Sequence, residues 1–292
     1  MELTFNAIKM IPKSSFKDLP TADTIFSGIA NAVKTLFGSS ELEFLIKSFE
    51  ATATISSAFP YESETYYFPK PLNTDLWLFK KLKESNEEDW YSKFKDLKHV
   101  KYLPLEEFTK ALHGELFKIP PTIPIKKINM PKVALDRVTQ ASDMYYIDML
   151  LVKPGSGLYF LYIGPEELFE NYLIPAIKLL GDTGLGGKST WGIGTFNPKF
   201  EKISISTPES EYAVTLSNAV VEKESLLFWK FKPKGGWSGL RRKPKIHFIA
   251  EGSIIKRSEK GKLLRLDGLR EHPVYVHAKT FPIPIEVGYH DI

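Results

Sequence analysis

Apolar and polar residues alternate at the start of the chain, Leu3, Phe5 and Ala7 against Thr4 and Asn6, and a period of two predicts a strand with one buried face. The period then lengthens. Phe26, Ile29, Ala30, Val33, Leu36 and Phe37 recur at helical spacing behind Asp23, which the pattern makes the N-cap, and Gly38 ends the run. Ser40-Glu41-Leu42-Glu43 has the form of a capping box opening a shorter helix that turns Leu45 and Phe49 inward. Residues 51–58 and 65–68 read as extended. From Leu76 to about Gln140, charged helical pieces lead into Ile119-Pro120-Pro121-Thr122-Ile123-Pro124-Ile125, a proline-punctuated stretch that reads as an insertion projecting from a sheet. Strand character returns over 144–152 and 158–163. A helix then starts at Pro165 with the stripe Leu168, Phe169, Tyr172, Leu173, Ile177 and Leu180, kinks at Pro175 and stops at Gly181, and a strand over 195–205 follows. Without the insertion the order is β-α-β-β-α-β, that of a ferredoxin-like sandwich, so the fold class is α+β. Beyond residue 207 the chain is mostly extended, over 213–220, 226–231, 245–255 and 273–283, with Ser258-Glu259-Lys260-Gly261 as a hairpin tip. Two domains are expected, residues 1–207 and a strand-rich 208–292.

Between the helix that starts at Pro165 and the strand over 195–205, Gly181 to Gly194 holds six glycines in fourteen residues, and its only cation, Lys188, sits beside Ser189 and Thr190. Such a segment exposes backbone N–H groups, which is what a phosphate requires. It is not a nucleotide-binding P-loop. That pattern needs glycine where Asp182 stands, and it needs a strand before the loop and a helix after it, the reverse of the order here. The dinucleotide pattern G-x-G-x-x-G fails as well, meeting Ser189 from Gly184 and Asn197 from Gly192.

Composition narrows the chemistry. The 292 residues include no cysteine, which excludes disulfides and thiolate metal sites, and the six histidines are too scattered for a local metal motif, so neither metal nor cofactor is expected. No apolar run approaches a membrane span and the first residues lack a signal peptide's pattern, so the expected location is the cytoplasm. A single glutamine, Gln140, among many lysines, glutamates and 20 prolines leans toward a thermophilic source. Net charge is only +4, but Lys230 to Lys245 holds seven Lys or Arg and no acid, with Phe231 and Trp237 interleaved. Cations among aromatics suit single-stranded nucleic acid, although a solvated loop would read the same way. A second, less distinctive basic stretch carries Lys126, Lys127 and Lys132.

The run Leu179 to Phe196 closely resembles the glycine-rich loop of CRISPR RAMP proteins. Three further stretches resemble one branch of that family, the subunit of the type III-A Csm effector complex that holds the 5′ end of the guide RNA (the fourth Csm subunit, of the Cas5-like group). They are Ala22-Asp23-Thr24-Ile25-Phe26-Ser27-Gly28; Ser57-Ala58-Phe59-Pro60-Tyr61 with Tyr67-Phe68-Pro69-Lys70-Pro71; and Gly235-Gly236-Trp237 to Lys243-Pro244 with Ala278 to Pro284. The resemblance implies two ferredoxin-like domains, the second degenerate, and a β-hairpin thumb inserted at about 116–142. Ala134 to Ala141 would be the thumb's returning base and its tip would lie among Ile119 to Pro131. It also implies a role in antiviral defence: capturing the repeat-derived 5′ handle of CRISPR RNA (crRNA), contacting the Cas10-type large subunit and nucleating the filament of backbone RAMP subunits, with target RNA met only through the guide. The RNA-binding residues so implied are Gly184, Gly186, Gly187, Lys188, Ser189, Thr190, Trp191, Gly192 and Gly194 in the loop, Lys126, Lys127 and Arg137 in the insertion, and Trp237, Arg241, Arg242 and Lys243 in the basic run. Trp191 reads equally as core or as a stacking platform.

Two alternatives remain open on the residues. RAMP endoribonucleases process precursor crRNA with histidine as general acid or base, and His99, His113, His247, His272, His277 and His290 are the candidates; none lies in a stretch matching a catalytic segment, so no catalytic residue is assigned and no enzyme activity is expected. A backbone subunit would use a loop aspartate, for which Asp23 is the candidate, but an N-cap accounts for Asp23 more simply.

Overall fold

The computed structural model describes residues 1–85, 89–118, 120, 122–238, 240–270 and 272–288, so His290 and, from the proline-rich stretch, Ile119 and Pro121 lie outside the described residues. In chain order the first part comprises β1 (Glu2–Pro12), α1 (Ala22–Phe37), α2 (Ser39–Ala51), β2 (Thr54–Ile55), β3 (Phe59–Glu62), β4 (Thr65–Pro69), α3 (Thr74–Glu84), α4 (Trp90–His99), β5 (Tyr102–Pro104), α5 (Leu105–Leu112), β6 (Ile125–Leu135), β7 (Ser142–Val152), β8 (Ser156–Ile163), α6 (Glu166–Leu168), α7 (Ile174–Thr183) and β9 (Phe196–Ser206). An antiparallel sheet runs β5-β4-β3-β8-β1-β9, with β2 paired to β8. β1 and β8 lie side by side at its centre. Ile8, Met10, Phe160 and Tyr162 pack under α1, α2 and α7 with Ile25, Phe26, Ile29, Phe49 and Ile177, while Phe5, Ala7, Tyr159 and Leu161 point to the opposite face.

Several local expectations are corrected. Asp23 does not cap α1: Thr21 holds that position, and Asp23 lies in the first turn. The Ser40 to Glu43 capping box is not formed either, because α2 starts directly from Gly38. Pro175 lies inside a helical run that is continuous from Glu166 to Thr183, and the irregularity falls just before the proline, as a π-turn over Phe169–Leu173, not at it. The helix then runs past Gly181 to Thr183 and ends on Gly184; a Cβ on Gly181 would stand 2.5 Å from the Phe196 carbonyl, so that glycine serves helix–strand contact.

The insertion is a helical cap plus one long hairpin. β6 pairs β7 over all eleven residues, from Ile125 opposite Val152 to Leu135 opposite Ser142. Residues 136–141 are therefore the hairpin's tip and not its returning base, and the segment preceding Ile125 lies at its root. The Asp136 carboxylate accepts the Val138 and Thr139 N–H groups at 2.7 and 3.2 Å, which closes the turn.

The second part contains β10 (Tyr212–Thr215), β11 (Leu226–Phe228), β12 (Phe231–Ser238), β13 (Arg241–Ile249), β14 (Ile254–Lys256), β15 (Gly261–Leu266), β16 (Val274–Lys279) and β17 (Pro282–Pro284). One sheet runs β11-β14-β10-β17, and β12-β13 and β15-β16 form separate ribbons. Ser258 to Gly261 is thus no hairpin tip; it carries the chain from one sheet to another. Val214, Leu216, Ile254, Phe281 and Ile283 share a core with Phe5, Ala7, Phe59 and Leu161, so the boundary at residue 207 crosses one continuous apolar cluster. No helix of the described residues is long and apolar enough to cross a membrane.

β16 also packs on α1, and there His277 is wholly buried against Phe26 and Phe49. Burial and the nearby Lys279 pull its pKa down to about 3, against a weaker pull upward from Asp23. The imidazole is neutral in the native state, while the unfolded chain protonates it below about pH 6.5. Stability from this residue is complete above that pH and is lost as pH falls toward the folded value, by up to about 1.4 kcal/mol per pH unit. Urea midpoints across this range are expected to fall more steeply for the natural protein than for His277→Phe; parallel curves would remove His277 as the cause.

Candidate nucleic-acid interface

The glycine-rich loop leaves α7 and enters β9. Its neck is closed by the Leu185 N–H to Gly194 carbonyl bond, 2.9 Å, and the Gly194 N–H donates to the Ser15 carbonyl, also 2.9 Å. Gly184 and Gly194 have φ of +89° and +81°, and a Cβ on either would run into backbone, the Ile193 carbonyl in the first case and the Leu185 carbonyl in the second. Gly186 shares the left-handed region at φ +95° but faces open space. Gly187 does not: its φ is ordinary, and a Cβ there would meet only the Lys17 side chain, at 3.2 Å. The N–H groups of Gly186 and Gly187 donate to no protein acceptor among the described residues. Lys188, at φ +71°, lays its ammonium 4.1 Å from the centre of the Trp191 ring, and Trp191 is 45% exposed, which decides for a surface ring over a core one.

The basic run forms the β12–β13 hairpin. This hairpin stands across a cleft of about 500 Å³ from the glycine loop, and α1 forms the floor between them. Gly184, Gly186 and Ser189 line one wall, and Lys234, Gly235, Gly236 and Lys243 the other. A register shift between Lys234 and Gly236 bends β12 there. The floor is a stripe of small polar residues at helical spacing, Thr24, Ser27, Asn31 and Thr35.

A partly buried ion pair ties the hairpin to α1. Lys234 Nζ lies 2.7 Å from Asp23 Oδ2 and donates to the Thr24 hydroxyl at 2.7 Å and to the Thr21 hydroxyl. The Thr21 hydroxyl and the Asn218 amide complete the carboxylate's shell at 2.6 and 3.0 Å. Burial by itself would raise the Asp23 pKa, but the Lys234 charge and these hydrogen bonds outweigh it and hold the carboxyl below its usual value. On the same wall, burial pulls the Lys243 ammonium below its usual value, helped by Lys234 and Arg270 and opposed by Asp23.

The sequence-predicted residues divide by place. Gly184, Gly186, Ser189 and Lys243 meet at this cleft, and Lys243 also reaches a smaller neighbouring one with Trp237. Gly187, Lys188, Thr190, Trp191 and Gly192 lie exposed on the loop around its rim. Trp237, 68% exposed, stands opposite Arg242 near the end of the hairpin, and Arg241 donates to the Gly268 carbonyl. Lys126, Lys127 and Arg137 belong to the other hairpin. Lys127 pairs diagonally across it with Asp148, and Arg137 sits in the tip, about 33 Å along the strands from the root at an ordinary rise per residue. It does not join the cleft. Sequence reasoning missed Lys17, the α1 stripe and the Asp23–Lys234 pair; the stripe's spacing was visible, but the pair joins residues 211 apart. Of the histidines, His99, His113 and His247 line neither cleft beside the glycine loop and the basic hairpin, His272 borders the smaller one, and His277 is core.

No protein-family model matches the chain. It is 48% identical over 283 residues to the CRISPR system Cms protein Csm4 of Thermococcus onnurineus, covering 97% of each chain. A protein of the same description from Methanocaldococcus jannaschii is 26% identical over 344 residues, with 90% of each covered. Among solved structures, a chain of a Csm1–Csm4 cassette in complex with pppApA superposes with a TM-score of 0.81 at 38% identity, over 98% of this chain and all of that one. A chain of a Csm3–Csm4 subcomplex from the type III-A CRISPR-Cas interference complex gives 0.67 at 19% identity, over 98% and 100%, a likeness of fold. Near-complete coverage at this identity, over both the loop and the hairpin that form the cleft, makes this chain a member of the Csm4 family of CRISPR proteins.

Proposed function

We propose that this protein is a non-catalytic RNA-binding subunit of a type III-A Csm effector complex, anchoring the 5′ handle of crRNA in the cleft between the glycine loop and the β12–β13 hairpin. The observation that carries this reading is the unpartnered N–H pair of Gly186 and Gly187 set opposite a cation-bearing hairpin, the arrangement that takes a phosphate backbone without reading its bases. Relatives described as a Csm1–Csm4 cassette and a Csm3–Csm4 subcomplex support contacts with the Cas10-type large subunit and with the backbone subunit that extends the filament. The strand order β9-β1-β8-β3 under α1 and α7 supports a ferredoxin-like first domain, the β6–β7 hairpin is the candidate thumb, and the sheet β11-β14-β10-β17 is the candidate degenerate second copy. Sequence would be read by guide pairing and not by this chain.

The loop glycines separate into two kinds, and they should fail differently. Gly194→Ala forces a Cβ into backbone at positive φ and is expected to lower stability by about 1 kcal/mol or more. Gly187→Val is expected to keep the natural denaturation midpoint and lose handle RNA in a gel-shift assay, and Lys188→Ala to be milder because the N–H donors remain. A Gly187→Val protein that folds and binds handle RNA with natural affinity would reduce the loop to a turn.

Arg241→Ala and Arg242→Ala are each expected to weaken binding across RNA sequences and to lower the slope of log affinity against log salt by about 0.7. Unchanged slopes would assign these residues to solvent or to a protein contact. The purified protein is expected to leave repeat RNA intact with either magnesium or chelator. Cleavage abolished by one histidine substitution would establish the processing-nuclease reading instead.

A further inference from the structure

On the far side of the Asp23–Lys234 pair from the glycine loop lies a second cleft, of about 660 Å³, between the insertion's α4–β5 junction and the start of β12. Its two acids are already satisfied. Asp75 is paired with Lys70 at 2.8 Å, and Glu251 with Lys232 at 3.4 Å and the Ser57 hydroxyl at 2.6 Å. Three exposed lysines on its rim, Lys98, Lys101 and Lys230, have no side-chain partner among the described residues, so the cleft carries uncompensated positive charge. Its lining is aromatic as well. Phe231 is 55% exposed and leans edge-on to Trp229, and Tyr102 contributes a half-buried ring whose hydroxyl has no partner among the described residues. Burial and Glu251 push that phenol up to about 12, so it remains a hydrogen-bond donor at neutral pH.

The two clefts are joined by β12. Strand periodicity puts Lys230, Lys232 and Lys234 on one side of the chain; the first two line the second cleft and the third lines the glycine-loop cleft. Cations in a row beside exposed rings match a single strand, whose phosphates take the charge while its bases stack. An apolar or acidic small molecule would use one of these features and waste the other.

We infer that this second cleft is a subsite for single-stranded RNA, holding nucleotides that continue past the Asp23–Lys234 pair from the strand bound at the glycine loop. Lys98, Lys101 and Lys230 contact phosphates there, and Tyr102 and Phe231 hold bases. The inference rests on the RNA-binding reading of the glycine-loop cleft, and the test separates the two.

The full chain is titrated with a labelled single-stranded RNA of about twelve nucleotides, within the range of single-strand site sizes. The natural protein is compared with the triple variant K98A/K101A/K230A and with Gly187→Val. The triple variant, changed only at exposed positions, is expected to raise the Kd tenfold or more and to lower the salt slope by about 2, at 0.7 per lost contact. A 4-thiouridine-containing RNA is expected to crosslink to Tyr102 or Phe231 in the natural protein. If the triple variant keeps natural affinity and slope while Gly187→Val loses RNA, the second cleft is not an RNA subsite and the glycine-loop reading stands. If the triple variant loses RNA while Gly187→Val keeps it, the second cleft stands and the glycine-loop reading fails. A triple variant that binds RNA normally but no longer associates with a partner subunit would make the cleft a dock for an acidic protein surface, and would overturn the inference.

Discussion

β1 and β8 run side by side with apolar side chains on both faces, and neither face can be left to water. An antiparallel sheet usually needs one cover; this one needs two. α1, α2 and α7 supply the first. The insertion's helices and strands from beyond residue 207 supply the second, and for that reason one core spans the two parts of the chain. The arrangement also buries a charge. Lys9, only 3% exposed, lies between the Tyr61 and Tyr66 rings, 5.0 and 4.9 Å from their centres, and meets Glu201 at 2.7 Å, so the cation is matched where the second layer closes over it.

The cleft inherits its shape from that constraint. Its floor is the exposed side of a helix whose other side is core, one wall hangs from the sheet's edge strand β9, and the opposite wall is a ribbon from the second part of the chain. Two-stranded ribbons are marginal alone. β12–β13 is held by Phe248 and Ile249, which β13 buries in neighbouring apolar clusters, and by Lys234, which reaches into a pocket of oxygen atoms at the start of α1, a contact that exists only when the second part has docked on the first.

Much of the fold was legible because short-range patterns record it. Alternation marks β1, helical spacing marks α1 and the apolar faces of α2 and α7, and the loop's context alone excludes a P-loop. Asp23 reads as a cap because a cap is a local explanation, whereas its partners Asn218 and Lys234 are almost two hundred residues or more away. The hairpin tip is misplaced because the resemblance makes Ala134 to Ala141 the returning base, whereas an Asx turn at Asp136 reverses the chain there. The loop glycines were legible as a group but not one by one, since φ at each position is set by how the neck closes. The second cleft left almost no trace in the sequence, because six separated segments line it.

The neck of the glycine loop has one more consequence. Gly184 and Gly194 each press against the opposite strand of the neck, and the bond from Leu185 to Gly194 seals it, so the geometry of α7 and β9 is settled before the loop's crown begins. Residues 186–192 are in this sense insulated from the sheet. Contacts taken up by the crown stop at the neck, so a ligand can adjust residues 186–192 without disturbing the sheet that carries them.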